Sequence, residues 1–139
     1  MAESLCVFVE QAAYAAFENR LYEMPAEELS AESIRLLFQQ VGDDNGFDTW
    51  NFDSRLFVDI THFYTSPQYV ISYVVSNDAA FQIYQKEQEE SGAGLALYQK
   101  SLSSTESWFL MFLEEQGLES PFGEGRMALI RQTFEEILN

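Results

Sequence analysis

The segment "HFYTSPQYVISY", residues 62–73, concentrates the side chains that could take part in chemistry. It holds the only histidine of the chain, His62, and three tyrosines, Tyr64, Tyr69 and Tyr73. Tyr69 and Tyr73 are four residues apart, so on a helix their rings would lie on the same face. Imidazole N–H and phenol hydroxyl groups are donors that suit an oxyanion or the carbonyl groups of a bound peptide. The same spacing is also typical of aromatic side chains that pack in a core.

Metal sites of two familiar kinds do not fit the sequence. A zinc peptidase site needs two imidazoles one helical turn apart with a glutamate between them, as in H-E-x-x-H, and the chain has one histidine. In the acidic segment "VGDDNGFDTWNF", Val41 and Phe52 would occupy the first and last positions of a calcium-binding loop, where carboxylates are required. We therefore predict no metal site within this chain.

Cys6 is the only cysteine, which excludes an internal disulfide and is typical of a reducing compartment. Its neighbours Leu5, Val7 and Phe8 are apolar, so we predict a buried structural thiol and not a nucleophile. The chain has no G-x-S-x-G nucleophile motif and no glycine-rich phosphate loop.

The formal net charge of −16 comes from 23 acidic and 7 basic residues. Such a chain offers no cationic surface to nucleic acid or to anionic membranes, so we predict neither partner. The first residues lack the basic and apolar regions of a signal peptide, and no apolar run is long enough to cross a membrane. These features predict a cytoplasmic protein.

Hydrophobic periodicity predicts an all-α fold, with residues 1–139 forming a single domain of five to six helices. The first helix is expected over residues 3–23, ending before Pro25. Its predicted apolar face comprises Leu5, Phe8, Val9, Ala12, Ala16 and Leu21. A second helix is expected after Ser30 as N-cap, with Gly42 as its stop.

Residues 43–60 are expected to form a long ordered loop with a short helix near 56–60. Ser66 and Pro67 have the chemistry of a helix N-cap and first helical position, which predicts a long helix over 67–90. Three further helices are expected, over about 95–102, from the "SSTE" cap to Gly117, and in a last segment that carries Met127, Ile130, Phe134, Ile137 and Leu138.

The segment "THFYTSPQYVISYVVSNDAA" resembles a segment near the C-terminus of oligoendopeptidase F-type zinc peptidases, which are relatives of thimet oligopeptidase. Their approximate pattern is H-F-Y-x-x-P-F-Y-x-Y-Q-Y-A, and it is matched in register by His62, Phe63, Tyr64, Pro67, Tyr69 and Tyr73. The segments "FVEQAAYAAFENRLYE", "LSAESIRLLFQQVGDD" and "LSSTESWFLMFLEEQGLESPF" are similar to helices on either side. The resemblance covers essentially the whole chain.

This resemblance implies an α-helical fold and a role in peptide hydrolysis by zinc-activated water. By position, His62, Tyr64, Tyr69 and Tyr73 would line the substrate cleft. Tyr69 or Tyr73 would donate to the oxyanion or to the peptide backbone.

The sequence also departs from the family pattern. Gln68 and Ile71 stand where the family has aromatic residues, and Asn77 and Asp78 stand where it has small ones. The zinc-binding segment of the family would precede Glu3 and is not part of these 139 residues.

The resemblance therefore suggests a truncated or split C-terminal domain of such a peptidase, inactive alone, with zinc only if a partner supplies H-E-x-x-H. The alternative is a non-catalytic helical module that binds peptides or another protein. Aromatic surface left uncovered by a missing catalytic part favours a homodimer or a complex with a companion chain.

Overall fold

The computed structural model describes residues 2–47 and 52–138. These ranges contain seven α-helices and no strand, which confirms the predicted all-α class. The helices are α1 Ala2–Glu23, α2 Ala31–Asp44, α3 His62–Thr65, α4 Ile71–Glu89, α5 Ala93–Ser101, α6 Phe109–Gln116 and α7 Arg126–Leu138. The number exceeds five or six because His62–Thr65 forms a short helix of its own.

The chain divides by packing into two compact units, residues 1–74 and 75–139. The expectation of one domain over residues 1–139 stays a prediction beside this division. Among the described residues, no helix combines the length and the apolar character needed to cross a membrane.

The first unit has an aromatic core to which α1 and α2 both contribute. Phe17 of α1 and Phe38 of α2 are buried and meet edge to face, with ring centroids 4.9 Å apart. Phe63 of α3 lies against Phe17 at 5.1 Å. Aromatic pairs in such geometries add to the stabilisation that burial provides.

The apolar face of α1 differs in part from the predicted one. Phe8 is buried as expected, but Ala12 is exposed, while Ala13 and Phe17 are buried. Cys6 is exposed as well, so the prediction of a buried thiol was wrong. Apolar neighbours in sequence point to other sides of a helix, and they do not decide whether Cys6 is covered.

Ser30 caps α2 as predicted. Its hydroxyl accepts a hydrogen bond from the Ser33 N–H at 3.1 Å, and the Ser33 hydroxyl accepts one from the Ser30 N–H at 2.9 Å. This reciprocal pair satisfies two of the amide groups that a helix start leaves without partners.

Gly42 does not end α2, which continues to Asp44. A Cβ atom on Gly42 would lie 2.5 Å from the Phe52 ring, so the glycine lets this ring pack directly against α2. In the predicted loop that follows, Leu56–Val58 forms a 3-10 turn within the expected short helix. Residues 48–51 of this loop lie outside the described ranges.

The long helix α4 begins at Ile71 and not at Pro67, so the predicted start was wrong. Ser66 ends α3 instead of capping α4. Gln68 adopts a left-handed backbone conformation with φ of 60°, which a right-handed helix cannot contain, so α4 begins only after this residue. The Gln68 N–H donates to Glu18 Oε1 of α1 at 2.9 Å, and this hydrogen bond holds Gln68 in that conformation.

In the second unit, α4 ends at Glu89, one residue before the predicted end, and α5 begins at Ala93 instead of residue 95. The Glu87 carboxylate accepts the N–H groups of Gly92 at 2.8 Å and of Leu95 at 3.2 Å. These backbone hydrogen bonds lower the pKa of Glu87, because they favour its charged form. They also satisfy amide groups at the start of α5, which explains its early beginning.

Gly94 lets α5 approach α4 closely. A Cβ atom at this position would lie 2.5 Å from the Ile83 carbonyl oxygen and 2.7 Å from the Glu87 Cβ. The obstacle includes main chain, which cannot rotate away as a flexible side chain could.

Gly94→Ala is therefore expected to lower the free energy of unfolding by about 1–3 kcal/mol through overpacking. Without the steric conflict, alanine in this first turn of α5 would be neutral or stabilising, by less than the value of about 1 kcal/mol for a helix interior, so the sign of the change is diagnostic. Urea denaturation followed by far-UV circular dichroism measures it. Ala96→Ser, at an exposed position of the same helix, is the control and should change stability by about 0.5 kcal/mol or less. A more stable Gly94→Ala protein would contradict the expectation.

The end of α6 is confirmed and its start differs from the prediction. Gly117 has a φ of 72°, and the Leu118 N–H donates to the Leu113 carbonyl at 2.8 Å, as at many helix ends. The "SSTE" segment does not cap α6, which begins at Phe109 after Trp108 as N-cap.

The predicted last helix is present as α7, and two of its apolar residues enter the core. Ile130 and Phe134 are buried, and Phe134 stacks on Phe81 of α4 with ring centroids 4.9 Å apart. Met127 also lies on this helix and is 51% exposed. The side chains of residues 137 and 138 lie outside the described ones.

A buried ion pair joins α4 and α7. Asp78 Oδ1 accepts a hydrogen bond from Arg126 Nε at 2.9 Å, and Arg126 Nη2 lies 2.8 Å from the same oxygen in the ion pair. Asp78 Oδ2 accepts from Gln82 Nε2 at 2.9 Å. Gln82 also exchanges hydrogen bonds with the backbone of Glu119, at 2.9 Å and 2.8 Å. The pair is thus supported by further hydrogen bonds, as buried charges require.

Candidate functional site

His62, Tyr69 and Tyr73 come together on one side of the first unit. His62 Nε2 and the Tyr73 hydroxyl lie 2.9 Å apart and form a hydrogen bond. The ring centroids of His62 and Tyr69 are 4.9 Å apart, and those of Tyr69 and Tyr73 are 5.5 Å apart in an edge-to-face geometry. We call these three residues the aromatic cluster.

The aromatic cluster lies at the surface. Tyr69 is 47% exposed and Tyr73 is 38% exposed, so these rings are not core aromatics, the alternative that their spacing left open. The residues beside them in sequence do enter the core, since Phe63 and Val70 are both buried. Each buried residue holds its neighbour in place, because the chain can shift there only by exposing apolar surface.

Backbone hydrogen bonds at the start of α4 set the positions of Tyr69 and Tyr73. The Ser72 N–H donates to the Tyr69 carbonyl at 2.9 Å, and the Tyr73 N–H donates to the Val70 carbonyl at 3.1 Å. These short-range bonds form a tight turn that leads into α4. The turn brings the two rings into contact although Tyr69 precedes the helix.

Glu18 is a contributor to this region that the sequence analysis did not single out. Its contact with the Gln68 N–H holds the residue directly before Tyr69. One signal could have revealed it, since Glu18 lies four residues after Tyr14 and next to Phe17, on the side of α1 that enters the core. A charged residue at such a position calls for a partner.

Tyr64 takes a different direction from the aromatic cluster. Its hydroxyl donates to the Phe57 carbonyl at 3.3 Å. Burial raises the pKa of Tyr64, and the negative charge of Asp59 raises it further. The described contacts of Tyr64 are thus with the segment before α3, and its predicted part in substrate binding stays a prediction.

The aromatic cluster offers two kinds of interaction to a ligand. Its ring faces can stack on apolar or planar groups, and its hydroxyl and imidazole groups can exchange hydrogen bonds with a peptide. The His62 imidazole and the Tyr73 hydroxyl can each donate or accept a hydrogen bond. Either group can therefore present a donor to a carbonyl group of the ligand or an acceptor to an amide group.

The described part of the chain contains no cluster of side chains that could hold a metal ion. Within residues 2–47 and 52–138, no group of three or more His, Cys, Asp or Glu side chains is close enough to hold a metal ion. The aromatic cluster itself contains one imidazole and two phenols, a donor set that is better suited to hydrogen bonding than to zinc.

Comparison of this chain with family models, curated proteins and solved structures found no match. The resemblance to oligoendopeptidase F-type peptidases rests on the quoted sequence segments alone and stays a prediction.

Proposed function

We propose that this chain is the substrate-side part of an oligoendopeptidase F-like peptidase and that its aromatic cluster contacts the peptide. The observation that carries the proposal is the exposed assembly of His62, Tyr69 and Tyr73, with the 2.9 Å bond between His62 and Tyr73. These residues belong to the segment in which the sequence resembles that family most specifically.

An extended peptide suits the chemistry of this surface. Its carbonyl groups accept hydrogen bonds from phenol and imidazole donors, and its side chains can lie against exposed rings. The net charge of −16 favours peptides that carry positive charge over acidic ones.

Hydrolysis would require zinc bound elsewhere. Zinc activates water when at least three protein ligands hold it, commonly two histidines and a carboxylate. His62 is the only imidazole of these 139 residues, so the H-E-x-x-H segment must come from sequence outside them, in a companion chain or otherwise. We therefore infer that the chain alone binds peptides without cleaving them.

Exposed apolar side chains in the second unit support the proposal of a protein partner. Trp108 is 73% exposed, and Leu102 and Phe122 are similarly uncovered. Large apolar side chains at the surface are frequent where proteins associate. A companion chain or a second copy of this chain would cover them.

Peptide binding is expected to depend on the tyrosine hydroxyls. Tyr73→Phe and Tyr69→Phe should each raise the Kd about 2- to 12-fold, since a net hydrogen bond contributes about 0.5–1.5 kcal/mol. The measurement is an NMR titration of the ¹⁵N-labelled chain with basic peptides whose termini are acetylated and amidated. Tyr98→Phe, which removes a hydroxyl from a comparably exposed tyrosine in α5, is the matched control.

Equal affinities of Tyr69→Phe, Tyr73→Phe and the unmodified chain would contradict the proposal, as would the absence of saturable shifts near the aromatic cluster. Tyr98→Phe is expected to bind as the unmodified chain does.

A second candidate function is a non-catalytic peptide-binding module. It is favoured by the position of the aromatic cluster, whose members all lie within residues 62–73 of the first unit and need no metal for their arrangement.

Peptide cleavage separates the two candidates. The chain is mixed with ZnCl₂ and the polypeptide encoded by the adjoining coding sequence, and cleavage of the peptides is measured. Zinc-dependent cleavage that Tyr73→Phe slows supports the peptidase, whereas binding without cleavage supports the module.

A further inference from the structure

Glu18 is a buried carboxylate whose partners are incomplete. The residue is 1% exposed, and its Oε1 accepts the Gln68 N–H at 2.9 Å. Its Oε2 is buried and has no hydrogen-bond partner among the residues that the structure describes. Leaving such an oxygen without a donor is unfavourable, and more so when the group is charged.

The contrast with Asp78 shows what Glu18 lacks. Asp78 is equally buried, but it forms an ion pair with Arg126, whose Nε donates a hydrogen bond to it. No ion pair among the described residues includes Glu18. Arg20, the nearest cation on α1, pairs instead with Asp44 at 2.7 Å. The negative charge of Glu18 is therefore not compensated within the described structure.

Glu18 also lines a pocket in the first unit, which we call the Glu18 pocket. Its walls are formed by Ala15, Glu18, Asn19, Gln68 and Ile71, and its volume is about 190 Å³. This is far more than the about 10–15 Å³ that one water requires. The pocket can thus hold a small organic group. Asn19 and Gln68 offer amide oxygens as acceptors, and Ala15 and Ile71 offer apolar contact.

The backbone of Gln68 is strained where it borders the Glu18 pocket. A φ of 60° is uncommon for a residue other than glycine, and such conformations persist where surrounding contacts impose them. Here the contact is the hydrogen bond from the Gln68 N–H to Glu18. Any ligand that binds the Glu18 carboxylate would therefore change the environment of the Gln68 amide, which provides a specific readout.

We propose that the Glu18 pocket binds the ammonium group of a small primary amine. The ammonium would donate to the Glu18 carboxylate, whose charge it compensates, and the alkyl part would lie against Ala15 and Ile71. A calcium ion is a poorer occupant, because it prefers six to eight oxygen ligands and no cluster of three acidic side chains occurs among the described residues. An anion would be repelled by the carboxylate. The proposal does not depend on peptide binding at the aromatic cluster.

The test is a titration of the ¹⁵N-labelled chain with propylammonium chloride, monitored by amide chemical shifts. Saturable shifts are expected at Gln68 and its neighbours. Propanol, a neutral probe of similar shape, should give no saturable shift there. Glu18→Gln keeps an acceptor for the Gln68 N–H but removes the charge, so propylammonium should bind it at least about 10-fold more weakly, as for the loss of a charge-assisted hydrogen bond.

Glu23→Gln is the matched control, because it removes one negative charge from an exposed position of the same helix and should leave the affinity unchanged. Equal binding to the unmodified chain and to Glu18→Gln overturns the proposal. The absence of saturable shifts with propylammonium also overturns the proposal, because the pocket would then hold only water. If Glu18→Gln does not fold, the comparison of propylammonium with propanol on the unmodified chain still decides. Because the probe has no peptide bond, failure here leaves the peptide titration with blocked termini unaffected.

Discussion

Asp78→Ala is expected to lower the free energy of unfolding by about 3–5 kcal/mol, because it leaves Arg126 as an uncompensated buried charge. The Arg126 side chain is almost fully buried, its Nε donates to Asp78 Oδ1 at 2.9 Å, and its Nη2 lies 2.8 Å from the same oxygen. Its other contacts are weaker, with Glu119 at 3.8 Å and Gln85 at 3.4 Å. Urea denaturation followed by far-UV circular dichroism measures the loss.

Two variants make this test specific. Glu135→Ala breaks the ion pair of Arg131 and Glu135, which has a similar distance of 2.8 Å but lies at the surface. It should change the free energy of unfolding by about 0.5 kcal/mol or less. The double variant Asp78→Leu/Arg126→Met replaces the buried pair by apolar side chains and should recover most of the loss. A cost for Asp78→Ala no larger than that for Glu135→Ala would show that the pair is not buried as described.

Phe38→Ala is expected to cost about 3–5 kcal/mol of the free energy of unfolding, through lost burial and the cavity that remains. Phe38 is 1% exposed and lies at the centre of the aromatic core. Its ring centroid is 4.9 Å from that of Phe17, 4.9 Å from that of Phe52 and 5.7 Å from that of Phe57. Removal of this ring takes away contacts with α1, with the loop that follows α2 and with the 3-10 turn Leu56–Val58.

Leu36→Ala is the control for Phe38→Ala, because it truncates an apolar side chain of the same helix that is about half exposed. Its cost should stay near 1 kcal/mol or below, in proportion to the smaller area that it uncovers. Chemical denaturation of both variants gives the comparison. Similar losses for the two variants would be inconsistent with a core centred on Phe38.

The elements that follow from local chemistry could be predicted from the sequence. Ser30 exchanges hydrogen bonds with Ser33, three residues away, and Gly117 adopts the left-handed conformation that ends α6. Such signals act over a few residues, so nothing distant needs to be known. The contact of Tyr69 with Tyr73 has a different cause from the predicted helical spacing, because Tyr69 precedes α4 and a turn brings the two rings together.

The errors arose where distant residues decide the structure. Ser66 and Pro67 have good helix-start chemistry, but the contact between Gln68 and Glu18, 50 positions apart, overrides it. Asp78 stood out only as a departure from the family pattern, because its partner Arg126 is 48 positions away. Apolar neighbours in sequence also do not indicate what covers a side chain, which explains the unexpected exposure of Cys6.

The hydrogen bond between Glu18 and Gln68 has a consequence for how the tyrosine pair could be reproduced. A synthetic fragment of residues 62–73 would contain every donor and every ring of the aromatic cluster, but not the α1 carboxylate that fixes the backbone before Tyr69. Closing a loop of 50 residues costs chain entropy that only the folded protein recovers through its core. The arrangement of the aromatic cluster is therefore a property of the folded unit, and a short linear peptide would not reproduce it.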